Sequence, residues 1–117
     1  MSLTVVVPVR TVSVPNQRGH WSKHSPLTKE QKFWARTLVE REKEKPPLPV
    51  RVTMIRCSPG RIKDSDNLGT ALKAVRDGVA AAYGADDQDL DSNPQFVWAV
   101  GQEKAEEYSV RITIEPA

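Results

Sequence analysis

Apolar positions follow a different rhythm in successive stretches of this 117-residue chain, and each rhythm predicts an element. Leu3–Val9 (LTVVVPV) is apolar and β-branched, which predicts a strand whose proline suits an edge or an end. Arg10–Thr28 is rich in Pro, Gly, Ser and Asn without a sustained period and predicts a long loop, a feature that is often functional. A helix is expected from Thr28 as N-cap, with Gln31 at the capping-box position and Phe33, Trp34, Leu38 and Val39 as a modest apolar stripe. Its all-charged end, Glu40–Lys45, is stopped by PPLP. Val50–Cys57 sets Val50, Val52 and Met54 against Arg51, Thr53 and Ile55, the alternation of a strand. Leu68, Ala71, Leu72, Val75, Val79 and Ala82 form one stripe of a second helix running from Asp66 to Tyr83. Asp66, Thr70, Lys73 and Asp77 fall on its other side, and Gly84 suits its C-terminal cap. PQFVWAVGQEK and YSVRITIEP then predict two strands joined around Glu103–Glu107 as an antiparallel hairpin. The order β-α-β-α-β-β implies an α+β, two-layer domain with a small mixed or antiparallel sheet.

Composition narrows the class. With 38% hydrophobic and 27% charged residues, the chain has the balance of one globular domain. No apolar run approaches the roughly 18–20 residues that cross a bilayer, and MSLTVVVPVR lacks the layout of a signal peptide. The lone Cys57 has no disulfide partner and reads as a buried structural thiol, so a cytoplasmic location is expected.

Charge changes the picture further. The net +2 conceals +9 over residues 1–63, −5 over 64–91 and −2 over 92–117. A strongly basic half suggests attraction to a polyanion. The acidic segment would repel that polyanion unless cations neutralise it. All seven aspartates lie in it: Asp64, Asp66, Asp77, Asp86, Asp87, Asp89 and Asp91. One of Asp64 and Asp66 would ordinarily cap a helix, and ADDQDLD would ordinarily be a solvated turn. If the two clusters converge, they form an oxygen-rich site for Mg²⁺ or Mn²⁺, with Gly69 and Gly78 as weak points where the helix could break. Lys73 pairs with Asp77 at i+4 or steadies charge on a phosphate.

Arg61-Ile-Lys63, Asp64-Ser-Asp66-Asn67-Leu68, Lys73-Ala74-Val75-Arg76-Asp77 and Asp86-Asp87, in that order, resemble the signature of the RusA-like Holliday junction resolvases. An N-terminal strand followed by Pro15-Asn16-Gln17-Arg18 and a helix is also similar, so the likeness spans nearly the whole chain. The resemblance implies a single endonuclease domain over residues 1–117 and hydrolysis of phosphodiesters at four-way DNA junctions. It also implies Mg²⁺ held by Asp64, Asp66 and Asp87, with Asp86 or Asp89 as alternatives to Asp87, and an assisting Lys73. Lys73 follows Asp66 by seven residues, where the family's lysine commonly follows by four, the place of Thr70 here. The resemblance further implies a homodimer, since resolution needs two symmetric nicks.

The basic residues then gain a role. Arg10, Arg18, Lys23, Lys29, Lys32, Arg36, Arg61 and Lys63 would contact phosphates of branched DNA. Trp21, with His20 and His24, reads as packing for the loop rather than stacking on a base. The two histidines lack a third ligand for zinc. Trp34 and Trp98 are expected in the core.

Overall fold

The computed structural model describes residues 2–11, 26–62, 65–85 and 92–117, with residues 26, 27 and 65–67 described by backbone alone. Among these residues the elements in order are β1 (Leu3–Val7), α1 (Pro26–Glu40), β2 (Val50–Ser58), α2 (Ser65–Ala71), α3 (Lys73–Ala82), β3 (Phe96–Lys104) and β4 (Ser109–Pro116). The expected α+β domain is present, and its sheet is mixed, with strands in the order β1-β4-β2-β3.

β3 and β4 are not the hairpin that the sequence suggested. β2 lies between them, running parallel to β3 (Val50 beside Phe96) and antiparallel to β4 (Val52 opposite Ile114). β4 then pairs on its other side with β1, Val5 facing Ile112. Burial explains the choice. Val110, Ile112 and Ile114 of β4 are fully buried, a row suited to an interior strand. On β3 the same row runs from buried Phe96 through half-buried Trp98 to exposed Val100, as suits an edge.

The helices cover one face of the sheet. Val7, Val50, Val52, Met54 and the β4 row meet Ala35, Val39, Leu72, Val75 and Val79, all within one core. The opposite face carries Arg51, Thr53, Ile55, Arg111 and Thr113, none of them in that core. Cys57 is on this second face, buried as expected.

α1 begins at Pro26 and stops at Glu40, so the charged run does not extend it. Lys45 folds back instead and donates to the Glu42 carbonyl at 3.1 Å, satisfying an acceptor past the last turn. Thr28 is inside the first turn rather than at the cap, and Gln31 reaches the carbonyl of Arg10 at 2.6 Å rather than closing a capping box. The buried face of α1 is Thr28, Gln31, Ala35 and Val39, while Phe33 (59% exposed) and Trp34 (38%) point outward. Trp34 is therefore not a core residue. The reason lies in α3: a Cβ on Gly78 would sit 2.5 Å from the Lys32 carbonyl oxygen and 2.8 Å from Ala35 Cβ. Backbones this close leave room for alanine and glycine and none for an indole.

The expected helix over Asp66–Tyr83 is two helices. Leu72 adopts φ −98°, ψ 1°, away from helical values, and its N–H is shared between the carbonyls of Leu68 (3.2 Å) and Gly69 (3.3 Å). The break is at Leu72, and neither Gly69 nor Gly78 is the weak point. α3 ends as expected at Gly84 (φ 75°): Ala85 N–H donates to the Ala80 carbonyl and Gly84 N–H to that of Ala81, both at 2.9 Å. That is a Schellman closure, which requires the left-handed residue at Gly84.

Candidate metal and nucleic-acid site

The loop leaving β2 leads to the first acidic motif, and it is held by two side chains that the sequence did not single out. Arg56, 4% exposed, donates to the hydroxyl of Ser58, to the Gly60 carbonyl at 2.7 Å and to the Thr11 carbonyl at 3.0 Å. Gln102 on β3 clamps Ile62 from both sides of its peptide unit. It accepts the Ile62 N–H at 2.9 Å and donates to the Ile62 carbonyl at 2.7 Å. A single carboxamide thus stands in for one rung of a strand ladder. Alternation continued from Val50, Val52 and Met54 puts Arg56 on the helix-covered face, and Gln102 continues the row of Phe96 and Trp98; their polar type, not their position, hid them.

Burial pushes the Arg56 guanidinium below its ordinary value, and Tyr108 opposes part of that shift. The Tyr108 ring lies between two guanidinium groups, Arg10 at 5.1 Å and Arg56 at 5.7 Å from its centroid. Arg10 is therefore anchored at the end of the sheet with its charge exposed, and Gln31 ties its carbonyl to α1.

α2 opens at Ser65, directly after this braced loop. Lys63, Asp64, Asp86, Asp87, Asp89 and Asp91 lie outside the described residues, as does the side chain of Asp66. Lys73 is exposed at the first position of α3, and Thr70 is exposed one turn earlier. Asp77 departs from the expected solvent-facing side. It is tucked in beside Arg76, 3.6 Å away, with side chains only 14% and 16% exposed. The break at Leu72 resets the rotation between the two helices, so one continuous wheel misplaces residues beyond it.

Among the described residues, no three His, Cys, Asp or Glu side chains gather closely enough to hold a metal ion. The expected donors, Asp64, Asp66 and Asp87, are all carboxylates, a set whose hard oxygens fit Mg²⁺ or Mn²⁺.

Of the expected phosphate contacts, Arg10, Lys29, Arg36 and Arg61 are exposed and Lys32 is half-buried. Arg36 also pairs with Glu40 at 2.7 Å. Arg18 and Lys23 lie outside the described residues, together with His20, Trp21 and His24. Phe33 and Trp34, packed edge to face at 5.5 Å, lie in the same stretch of α1 as Lys29, Lys32 and Arg36. Exposed aromatic rings among cations suit nucleic acid as well as the cations alone do. Trp98 is half-buried and stacks on Phe96 at 5.1 Å, against the core as expected.

No family model matches the chain. It is similar to an uncharacterized protein of Xylella fastidiosa (strain Temecula1), 33% identical over 103 residues. The match covers 80% of this chain and 64% of that protein, so the chain spans less than two thirds of its relative's length. No helix among the described residues is long and apolar enough to cross a membrane.

Proposed function

We propose that this protein is a Mg²⁺-dependent endodeoxyribonuclease of the RusA-like kind, hydrolysing phosphodiesters at four-way DNA junctions as a cytoplasmic homodimer. The observation that carries the reading is the motif Asp64-Ser65-Asp66-Asn67 at the entrance to α2, reached through a loop braced by Arg56 and Gln102. A site whose geometry matters needs its ligands on a fixed support, and a loop tied to two strands supplies one. Asp64, Asp66 and Asp87 (or Asp86) would hold the ion, which when bound polarises the scissile phosphate and lowers the pKa of a water. Lys73, exposed at the start of α3, would face the negative charge that builds on the phosphate. Arg10, Lys29, Lys32, Arg36 and Arg61 would position the DNA backbone, a contact that is strong at low salt and blind to sequence.

The test is cleavage of a synthetic four-way junction with Mg²⁺. Wild type should nick it, and Asp66→Asn should bind the junction but leave it intact. Undiminished turnover by that variant sinks the metal-site assignment. A second reading, a DNA-binding protein without catalysis, draws on the exposed Phe33–Trp34 pair and its basic neighbours. It requires junction binding in EDTA with no nicking by wild type under any divalent ion.

A further inference from the structure

The parallel pair β2–β3 ends in Ser58 and Lys104, and an open pocket of about 470 Å³ lies at those ends, lined by Ser58, Pro59, Gly60, Arg61, Gln102, Glu103 and Lys104. The carboxyl ends of parallel strands are where open sheets place ligands, because backbone and loops diverge there and leave a crevice. Charge defines what this crevice would take. Arg61 and Lys104 are exposed at it, and the buried Arg56 organises its Ser58–Gly60 rim. Glu103 is the one acid among the described lining residues. Its carboxylate is held by both terminal nitrogens of Arg111, at 2.8 and 3.1 Å, which also lower its pKa. With Glu103 neutralised, the local excess is positive and the rim is glycine-opened: a Cβ at Gly60 would meet nothing within 4 Å. Gln102 is held by one accepted and one donated bond to Ile62, so it stiffens the pocket beside the exposed cations.

We infer that this pocket is a metal-independent phosphate site, in which Arg61 and Lys104 grip a backbone phosphate of the bound DNA strand shortly before the Asp64–Asp66 motif in the chain. For its substrate the inference rests on the nuclease reading above. It adds Lys104, distant in sequence from every other basic residue assigned to DNA, and it gives Arg56 and Gln102 the role of holding the rim in shape. The phosphate is captured by charge and an open backbone, three residues before the first motif aspartate in the chain.

The experiment uses the full chain in EDTA, with a fluorescein-labelled four-way junction titrated at several salt concentrations. Arg61→Ala and Lys104→Ala should each weaken binding about 3- to 10-fold, and each should reduce the slope of log K against log salt by about 0.9. Lys43→Ala, which removes an exposed lysine of the charged run after α1, should change neither. If Arg61→Ala and Lys104→Ala match Lys43→Ala in affinity and slope, the pocket is not a phosphate site. Amide NMR with inorganic phosphate gives a second readout independent of DNA. Saturable shifts centred on Gly60 and Arg61, abolished in the double variant, sustain the site even if wild type neither binds nor nicks junctions, and the nuclease reading then falls alone. No such shifts, with no junction binding either, would overturn the inference. Altered slopes in a wild type that never cleaves with Mg²⁺ would remove only the catalytic reading.

Discussion

Adding one methyl group at Gly78 should destabilise the protein, although the same change in a solvent-facing helix would stabilise it. Alanine in place of glycine in a helix interior gains about 1 kcal/mol from backbone entropy. Against that gain, the new Cβ would lie 2.5 Å from the Lys32 carbonyl oxygen, 2.8 Å from Ala35 Cβ and 3.0 Å from the Arg36 nitrogen. Two of these three atoms are backbone and cannot swing aside, so α1 must retreat from α3 by roughly 1 Å to restore contacts near 3.5 Å. A gap of that size forfeits about a quarter to a half of the dispersion energy across the surface that opens. Overpacking of this kind costs about 1–3 kcal/mol, so after the helical gain the net loss for Gly78→Ala is up to about 2 kcal/mol. Gly69→Ala provides the opposite sign. Gly69 is helical, a Cβ there would meet nothing within 4 Å, and that variant should gain about 0.5–1 kcal/mol. Urea unfolding of the pair, compared at equal m-value, measures both shifts. If Gly78→Ala were as stable as Gly69→Ala, the close crossing of α1 and α3 would be refuted, and with it the explanation for the exposed Phe33 and Trp34.

Arg56→Met should cost about 1–3 kcal/mol in the same assay, since it strands the carbonyl of Thr11 and leaves that of Gly60 to the Ser58 hydroxyl alone, and a loss under about 0.5 kcal/mol would refute its bracing role. Tyr83 gives a pH signature. Burial raises its phenol above 10.0, so its contribution to stability is present below pH 10 and is lost as pH climbs through the raised value. Tyr83→Phe should flatten that alkaline limb and lose about 1 kcal/mol at neutral pH from the bond to the Pro46 carbonyl, as stability measured across roughly pH 7–11 would read.

Local rules made some of this structure legible in the sequence, and the failures have a common cause. β1, β2 and the end of α3 at Gly84 follow from β-branching, alternation and the left-handed conformation that glycine tolerates, all of which act within a few residues. Strand order does not: YSVRITIEP shows that β4 is a strand, but nothing local says that β2 will separate it from β3. The outward Phe33 likewise depends on Gly78, 45 positions away in the chain. For the candidate site, the aspartates were visible as a motif, whereas Arg56 and Gln102 were not. Apart from the Ser58 hydroxyl, their hydrogen-bond partners are main-chain oxygens and nitrogens, which carry no sequence identity to read. The rotation of Asp77 toward Arg76 was hidden for a related reason, because a helical wheel assumes an unbroken helix.

β4 follows the other described elements in the chain, yet it lies inside the sheet, with β1, which precedes them, paired to it and to no other described strand. Until Ser109–Pro116 has emerged from the ribosome, β1 has no strand to pair with among the described elements and one edge of β2 stays open, with Val110, Ile112 and Ile114 missing from the core. Assembly therefore waits on a contact that spans most of the chain, an arrangement that slows folding and leaves a nascent sheet edge open to wrong partners. Once β4 closes, the same long-range stitch locks β1 to a strand made much later, and the sheet opens at β1 only when that pairing breaks.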